Sequence, residues 1–540
     1  MGFSKKATRL LFAGVAVSAM AMAASAAYAY NGDPDYLTYD GGADFLPFAG
    51  PSDLLGPSGP SLGHGFEGLT QYDAAAFGRN FIPPDTMGAV GTSQFMETTN
   101  GAYAVYSKSG VLLQKMSDVA FWAAAGQTGA NGDSRVLFDS RSGKWIVESF
   151  GASISTIQIA VSNTSDATGG WKSTSFVGFN GIADYPTLAI DDKAVYIGTN
   201  DFNSAGTAFK GTTLDVINRD ALFGPSGPDA SGVKQFFTSL SSILSGNDRG
   251  FAIQGVNQIG DTDSGKIIAV GANNFGLVAY GVNNPGTPGA TQTAPILLSP
   301  GDAYDVNNPA REPNTTGTGT NRIIDPLDDR VSSAVYELKG KIYALHTITP
   351  TGTDHTEIQW QVIDAASSTI LATGVIGGNG DGFDYYQGSL AVNASGQVVI
   401  GYNRSGEDPG TGEVRLYAQT FNSLSGGGLV NTGTYLLKVS ETDSYHNGSI
   451  DGQPAAGRQR WGDYSQVTVD PTNGESFWII GEFADEFNDP AHGHPNGTGG
   501  SRWGTWISEI SVPEPATWSL MIMGFGFVGL AARRRKALAA

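Results

Sequence analysis

Five aspartates, Asp133, Asp184, Asp329, Asp384 and Asp463, each stand at the polar entry of a short apolar run, and Arg135, Arg330 and Arg460 interleave with them. Crowded carboxylates raise one another's pKa and a neighbouring guanidinium lowers it, which is how an acid and a base are told apart in glycoside hydrolysis. These five are the candidate catalytic residues. Guanidinium forks also hold carboxylate-bearing sugars bidentately. Tyr185, Tyr385, Tyr386, Tyr464 and Trp461 flank the same positions, and aromatic faces pack well on the C–H faces of sugar rings. Arg135, Arg330, Arg460, Trp461 and Tyr464 are therefore the candidate ligand-binding residues. The same side chains serve equally well as turn caps, cross-unit ion pairs and packing.

Other chemistries find less. Residues 261–265 and 379–384 place Asp261, Asp263 and Asp381 at alternate positions around glycines, an oxygen-rich pattern that suits calcium. Neither has the EF-hand glutamate at its twelfth position, and solvated turns explain both; no cofactor is expected. The six histidines show no H-E-x-x-H spacing, and no phosphate-binding glycine loop or G-x-S-x-G elbow occurs. The chain has no cysteine, which excludes disulfides, thiolate metal sites and a cysteine nucleophile. Its net charge of −20 argues against nucleic acid as a partner.

The candidate residues sit in a unit that recurs. Each copy has a polar entry, an alternating strand, an Asp/Asn/Gly turn and a second strand rich in β-branched and aromatic residues. Copies read as 133–139 with 144–148, 184–191 with 194–198, 329–336 with 341–345, 384–392 with 397–401, and 463–470 with 476–480. Weaker ones start near Asp85 (second strand 102–106) and Gln254 (second strand 266–270). The starts are spaced by roughly 48 to 79 residues, and a period of this size built of short strands is that of a propeller blade. With 75 glycines in 540 residues, tight turns are plentiful. The expected fold is all-β, a seven-bladed β-propeller over 81–511. Runs 156–161, 356–362 and 414–419 supply outer strands, and 239–244 forms a short helix or turn. Two or three sandwiches in series would need linkers that the sequence lacks.

The two ends read as addresses. Residues 1–29 have a basic start, an apolar run and Ala27-Tyr28-Ala29, the pattern of a signal peptide cleaved before Tyr30 by signal peptidase. Residues 30–80, rich in Gly, Pro, Asp and Ala with no sustained periodicity, form an extended segment wrapping or leading into the fold. At the other end, Pro513, Glu514, Pro515 and Trp518 precede an apolar stretch through Ala532 and then Arg533, Arg534 and Arg535. Segment 512–540 resembles a PEP-CTERM sorting signal with its transmembrane helix and arginine-rich tail. The resemblance implies recognition by an exosortase-type membrane protease, cleavage near Pro513–Pro515, transient anchoring in the inner membrane and release to the cell surface or extracellular matrix.

The body resembles a group of exported bacterial propeller-like proteins in the words Pro83-Pro84-Asp85-Thr86-Met87-Gly88, Asp184-Tyr185-Pro186, Thr199-Asn200-Asp201-Phe202 and Arg460-Trp461-Gly462-Asp463-Tyr464-Ser465. Its blade pattern is similar to that of sialidase-like propellers, without their Ser-x-Asp-x-Gly-x-x-Trp box. The expected function is binding of exopolysaccharide or another surface partner. The alternative is a glycoside hydrolase or polysaccharide lyase using the entry carboxylates. A carboxylate pair in an open funnel would mark the enzyme, and a channel filled by side chains the binder.

Overall fold

The computed structural model describes residues 59–513 apart from 80, 274, 300–303, 306, 314–321, 379, 443–458 and 495–499. The signal-peptide reading of 1–29, most of the segment 30–80 and everything from Glu514 onward lie outside the described residues.

The chain is all-β. Most of its strands pair into antiparallel meanders. Among the described residues, a five-, a ten- and a three-stranded sheet stand beside a four-stranded sheet completed from the other end of the chain and three four-stranded sheets taken in chain order. Met87–Val90, Gln94–Thr99, Ala102–Ser107 and Leu112–Ser117 form one such group. Arg135–Asp139, Lys144–Phe150, Thr156–Ser162 and Trp171–Val177 form the next. Groups whose leading strands are Ala189–Ile190, Phe251–Gln258, Val335–Leu338, Phe383–Val392 and Gln466–Val469 follow. The expected outer runs are third strands, Thr156–Ser162, Glu357–Asp364 and Arg415–Ser423. Leu240–Leu244 is the expected short helix, capped by the Ser239 hydroxyl, which accepts the Ser242 N–H.

Burial follows strand position. Met87–Val90 and Gln94–Thr99 are buried throughout, whereas the outermost strand of that group, Leu112–Ser117, is half-buried or exposed. A leading strand covered on both faces reads as a continuous apolar run. Each group packs face to face on the next through its own apolar cluster. Ile146 and Ile159 meet Val195 and Ile197, Leu345 and Ile358 meet Leu390 and Ile400, and Ala391 and Val399 meet Val467 and Ile479. The final group packs back on the first, with Trp478, Ile480 and Trp503 against Phe95 and Ala104. Leading strands of neighbouring groups lie side by side: Val256 pairs with Val335 in parallel register, and the Val90 N–H donates to Thr468 Oγ1 at 3.2 Å.

The final group is completed from the other end of the chain. Ser61–Thr70 pairs antiparallel with Ser501–Ser511, giving the order Ser61–Thr70, Ser501–Ser511, Ser476–Phe487, Gln466–Val469. The buried Glu97 carboxylate fastens this strand by accepting the Leu69 N–H (3.0 Å), the Thr505 hydroxyl (2.6 Å) and the Tyr106 hydroxyl (3.2 Å). Gly68 is required there, because a Cβ would lie 2.4 Å from Thr505 Oγ1 and 2.5 Å from Glu97 Oε2. The described part of the N-terminal segment is thus paired into the body from Ser61 onward. Its glycine-rich sequence carries no strand alternation; the unpaired edge of Ser501–Ser511 supplies the reason to extend.

The leading strands end around one cavity of about 440 Å³, lined by residues from every group, among them Val90, Leu137, Ile190, Asn257, Tyr336 and Val392. Their other ends meet at the opposite mouth.

Candidate functional site

Entry into the leading strands is a repeated backbone event. Asp85, Asp133, Tyr185, Ala252 and Gln387 all have left-handed φ, between 48° and 57° (49°, 54°, 56°, 50° and 53°). Each stands six residues before the position where its strand meets the following turn: Gly91, Asp139, Asp191, Gln258 and Asn393. Left-handed backbone is uncommon outside glycine, and its recurrence marks a sharp bend into the strand. Neighbouring groups hold these bends. Asn100 Oδ1 accepts the Asp133 N–H and Asn200 Oδ1 accepts the Ala252 N–H, both at 2.8 Å. Asp85 accepts the Asp463 N–H at 2.8 Å through one oxygen and Asn100 Nδ2–H at 2.7 Å through the other.

This register brings Asp133, Asp184, Asp463, Arg135, Arg330, Arg460 and Tyr464 to one mouth, together with Asp85 and Tyr185. Arg135 and Arg330 are buried and fill its centre. The Arg135 guanidinium lies 3.5 Å over the Tyr464 ring and 5.0 Å over Tyr185, and Nε donates to the Pro186 carbonyl at 3.1 Å. Arg330 stacks on Tyr185 from 4.4 Å and on Phe251 from 5.3 Å. It forks onto Asp328 at 2.7 and 3.0 Å and stands 3.9 Å from Asp463. Arg460 is ion-paired with Asp463, and the Tyr185 hydroxyl donates to the Asp463 carbonyl at 3.3 Å.

Asp133 and Asp184 remain half-buried at the rim. Burial, then the charges of Asp184 and Asp463, pushes Asp133 up to about 8, against the pull of Arg460 and Arg135. Burial pushes Asp184 up to about 7; Arg330 opposes it and Asp463 adds to it. Asp85 is raised by burial and by Asp463 and Asp133. Near neutral pH the rim therefore offers carboxyls that both donate and accept, set around fixed cations.

The other candidates lie elsewhere. Asp384 has no exposed surface and accepts the N–H groups of Arg311 (2.9 Å) and Thr356 (2.9 Å) and the Arg311 Nε–H (2.6 Å). It stands three residues before the Gln387 bend, so it joins the strand's pairing instead of the mouth. Asp329 is buried, and its carbonyl contacts His346 Nδ1 at 2.9 Å. Trp461 is buried in the cluster between the final and first groups, its Nε1–H donating to Asn403 Oδ1 at 3.3 Å. Asp261 pairs with Arg141 at 3.0 Å, Asp263 is exposed, and Asp381 accepts the Phe383 N–H and the Tyr385 hydroxyl at 3.1 and 2.6 Å. Among the described residues no group of three His, Asp or Glu is arranged to hold a metal ion.

At the far end, the Val512 N–H donates to the Glu475 carbonyl and Gln397 Nε2–H donates to the Pro513 carbonyl, both at 2.8 Å. Glu514, Pro515, Trp518 and Arg533–Arg535 lie outside the described residues. No helix among the described residues is long and apolar enough to cross a membrane.

Residues 511–536 match the model of the PEP-CTERM protein-sorting motif. The chain carries this signal at its C-terminus, and the signal marks an exported protein that an exosortase sorts at the membrane. The comparison with curated proteins returns no match. Among solved structures, the chain is similar to a protein of unknown function from Dyadobacter fermentans, with 10% identity, 80% of this chain and 94% of that one covered, and a TM-score of 0.35. It is also similar to an ulvan lyase of a polysaccharide lyase family (14% identity, 63% and 77% covered, TM-score 0.34) and to an endo-arabinase from Bacteroides thetaiotaomicron (14%, 71% and 95%, TM-score 0.29).

Proposed function

We propose that this exported protein is a seven-bladed propeller, closed by Ser61–Thr70, that binds exopolysaccharide at its carboxyl-rimmed mouth without cleaving it. Signal peptidase removes residues 1–29, and a transmembrane helix after Trp518 holds the chain until an exosortase acts. The propeller reading is supported by successive antiparallel groups whose leading strands share one cavity and whose final group packs on the first.

One observation carries the binding reading. The centre of the mouth is filled by Arg135 and Arg330 stacked about Tyr185, with Tyr464 beneath Arg135. Among the described residues, these side chains occupy the space through which a sugar ring would pass between catalytic carboxylates. What faces outward is a shallow rim of Asp133 and Asp184, suited to sugar hydroxyls. A protonated carboxyl also tolerates an anionic chain, so retention of an acidic polysaccharide should strengthen as pH falls below about 8 and 7, where the two carboxyls take up their protons.

A second reading draws on those same values: carboxyls holding a proton near neutrality suit a general acid in a hydrolase or lyase. One experiment addresses both. Purified mature protein is passed over the host's exopolysaccharide and over a glycan array, with Asp133→Asn and Asp184→Asn alongside, while reducing ends and unsaturated products are assayed. Retention without product is expected, and in each variant retention of an acidic chain should no longer weaken as pH rises through 7 and 8, because Asn keeps the neutral form of the carboxyl. Product formation would install the enzyme instead, and absence of retention would end both readings.

A further inference from the structure

We infer that in the anchored precursor the face bearing the 440 Å³ cavity rests on the outer surface of the bilayer, with the carboxyl-rimmed mouth pointing away from it. The inference rests on the sorting signal and is independent of the polysaccharide reading.

The chain leaves the body on that face. Val512 and Pro513 are tied to Glu475 and Gln397, on the turns that follow Gln466–Val469 and Phe383–Val392. Both turns reach the cavity, through Gly474 and Asn393, and Asn393 Nδ2–H donates to the Gly474 carbonyl at 2.8 Å. The exit therefore lies at the cavity rim. The apolar stretch starts at Trp518, five residues beyond Pro513, and five extended residues reach at most about 18 Å. A tether that short cannot let the body turn over.

The same face has what a lipid surface needs. Val111, Leu112 and Leu113 are 59%, 46% and 47% exposed in consecutive positions. Their turn is fixed to the cavity face by Lys108, which donates to both carboxylate oxygens of Asp470 at 2.9 and 2.8 Å. Leu62, 48% exposed beside the exit, and Ile259, 42% exposed on the cavity wall, extend the apolar surface. Lys144 and Lys339, on turns of this face, donate to the carbonyls of Phe223 and Ala394 at 3.0 Å, and Lys341 to that of Leu424 at 2.6 Å. Among the described residues none of the three has a carboxylate within ion-pair distance, so their charge is available to anionic headgroups. Apolar side chains among lysines bind the headgroup boundary through burial plus attraction to anionic lipid.

The chain's lack of cysteine allows a direct test. Full-length protein carrying Val111→Cys, Leu113→Cys or Ile259→Cys, or Val177→Cys or Leu244→Cys from the opposite end of the strands, is labelled with an NBD maleimide. Each is reconstituted in phosphatidylethanolamine–phosphatidylglycerol vesicles containing a spin-labelled lipid quencher. The expected result is a blue shift and loss of fluorescence at 111, 113 and 259, with neither at 177 and 244. Equal quenching at both ends in vesicles to which the chain has floated would overturn the inference alone. Failure of the chain to float would overturn it together with the anchor. Shielding of 111 and 113 only after the processing protease is added would assign the face to that protease and equally overturn it.

Discussion

The Asp133 carboxyl, pushed up to about 8 in the folded chain, makes stability depend on pH in a direction that can be worked out. An unfolded aspartate ionises near its ordinary value of about 3.9. Between that value and about 8 the folded state holds a proton that the unfolded state has lost, so stability falls as pH rises through this window. Each pKa unit corresponds to about 1.4 kcal/mol, which sets an upper bound of about 6 kcal/mol. Asp133 is half-buried and its charge is shared with Asp184 and Asp463, and solvent screening of such a site reduces the figure to about 2 kcal/mol. Asp133→Asn imitates the protonated form, and Asn tolerates the left-handed φ of 54° at this position. Urea denaturation of both proteins at pH 5, 6, 7 and 8 should give near-equal stabilities at pH 5. At pH 8 the variant should be about 2 kcal/mol more stable, because removing the charge also relieves Asp184. A difference that stays constant with pH would show that Asp133 titrates like an exposed carboxyl, and the electrostatic account of the rim would fall with it.

The remaining positions separate structure from binding. Asp384→Ala strands the Arg311 guanidinium and two N–H groups, so denaturation should register a loss of about 3–5 kcal/mol while polysaccharide retention stays as it was. Asp463→Asn, which weakens the pairing with Arg460 and Arg330, should lower stability by about 1–3 kcal/mol and change retention little. A mature chain lacking residues 30–70 should lose its single cooperative calorimetric transition, since Ser501–Ser511 is left as a bare edge and the Glu97 contacts disappear. Intact-mass analysis of surface-extracted protein should place the C-terminus upstream of Trp518.

How far the site was legible depended on where each copy's landmark lay. Asp133, Asp184 and Asp463 stand directly at strand entries whose following residues alternate cleanly, so their meeting could be read from spacing. Asp384 could not be placed so, because its strand continues through Tyr385 and Tyr386 before the bend at Gln387, where the pairing with Gln397–Gly406 shifts register. Counting back six residues from the turn, instead of forward from the first acid, would have put Gln387 at the mouth. That signal was present in Asp139, Asp191, Asn393 and Asp470. Asp85 belongs to the site although its copy was faint, since its role lies in contacts to Asp463 and Asn100, which are distant in sequence. Trp461 lies two positions from Asp463, yet it turns into the cluster beside Trp478 and Trp503. Sequence adjacency does not fix the side to which a residue in an irregular entry segment points.

The closing strand has the same origin and a wider consequence. Ser61–Thr70 has no strand signature of its own; it is held by Ser501–Ser511, by Glu97 and by the close approach that Gly68 permits. The final four-stranded group therefore depends on segments more than 400 residues apart, so its contacts are of very long range and carry a large loop-closure entropy cost. Pairing cannot be complete until Ser501–Ser511 has emerged, and the sorting motif matched at 511–536 begins where that strand ends. Completion of the fold and presentation of the cleavage region are thus set by one stretch of chain. Because Val512 and Pro513 are held by the turns of the last two groups, and Val512 also by the apolar cluster between those groups, a body in which these groups fail to pack would present its cleavage region on a loose tether, whereas a closed one holds it at a defined place on the cavity face.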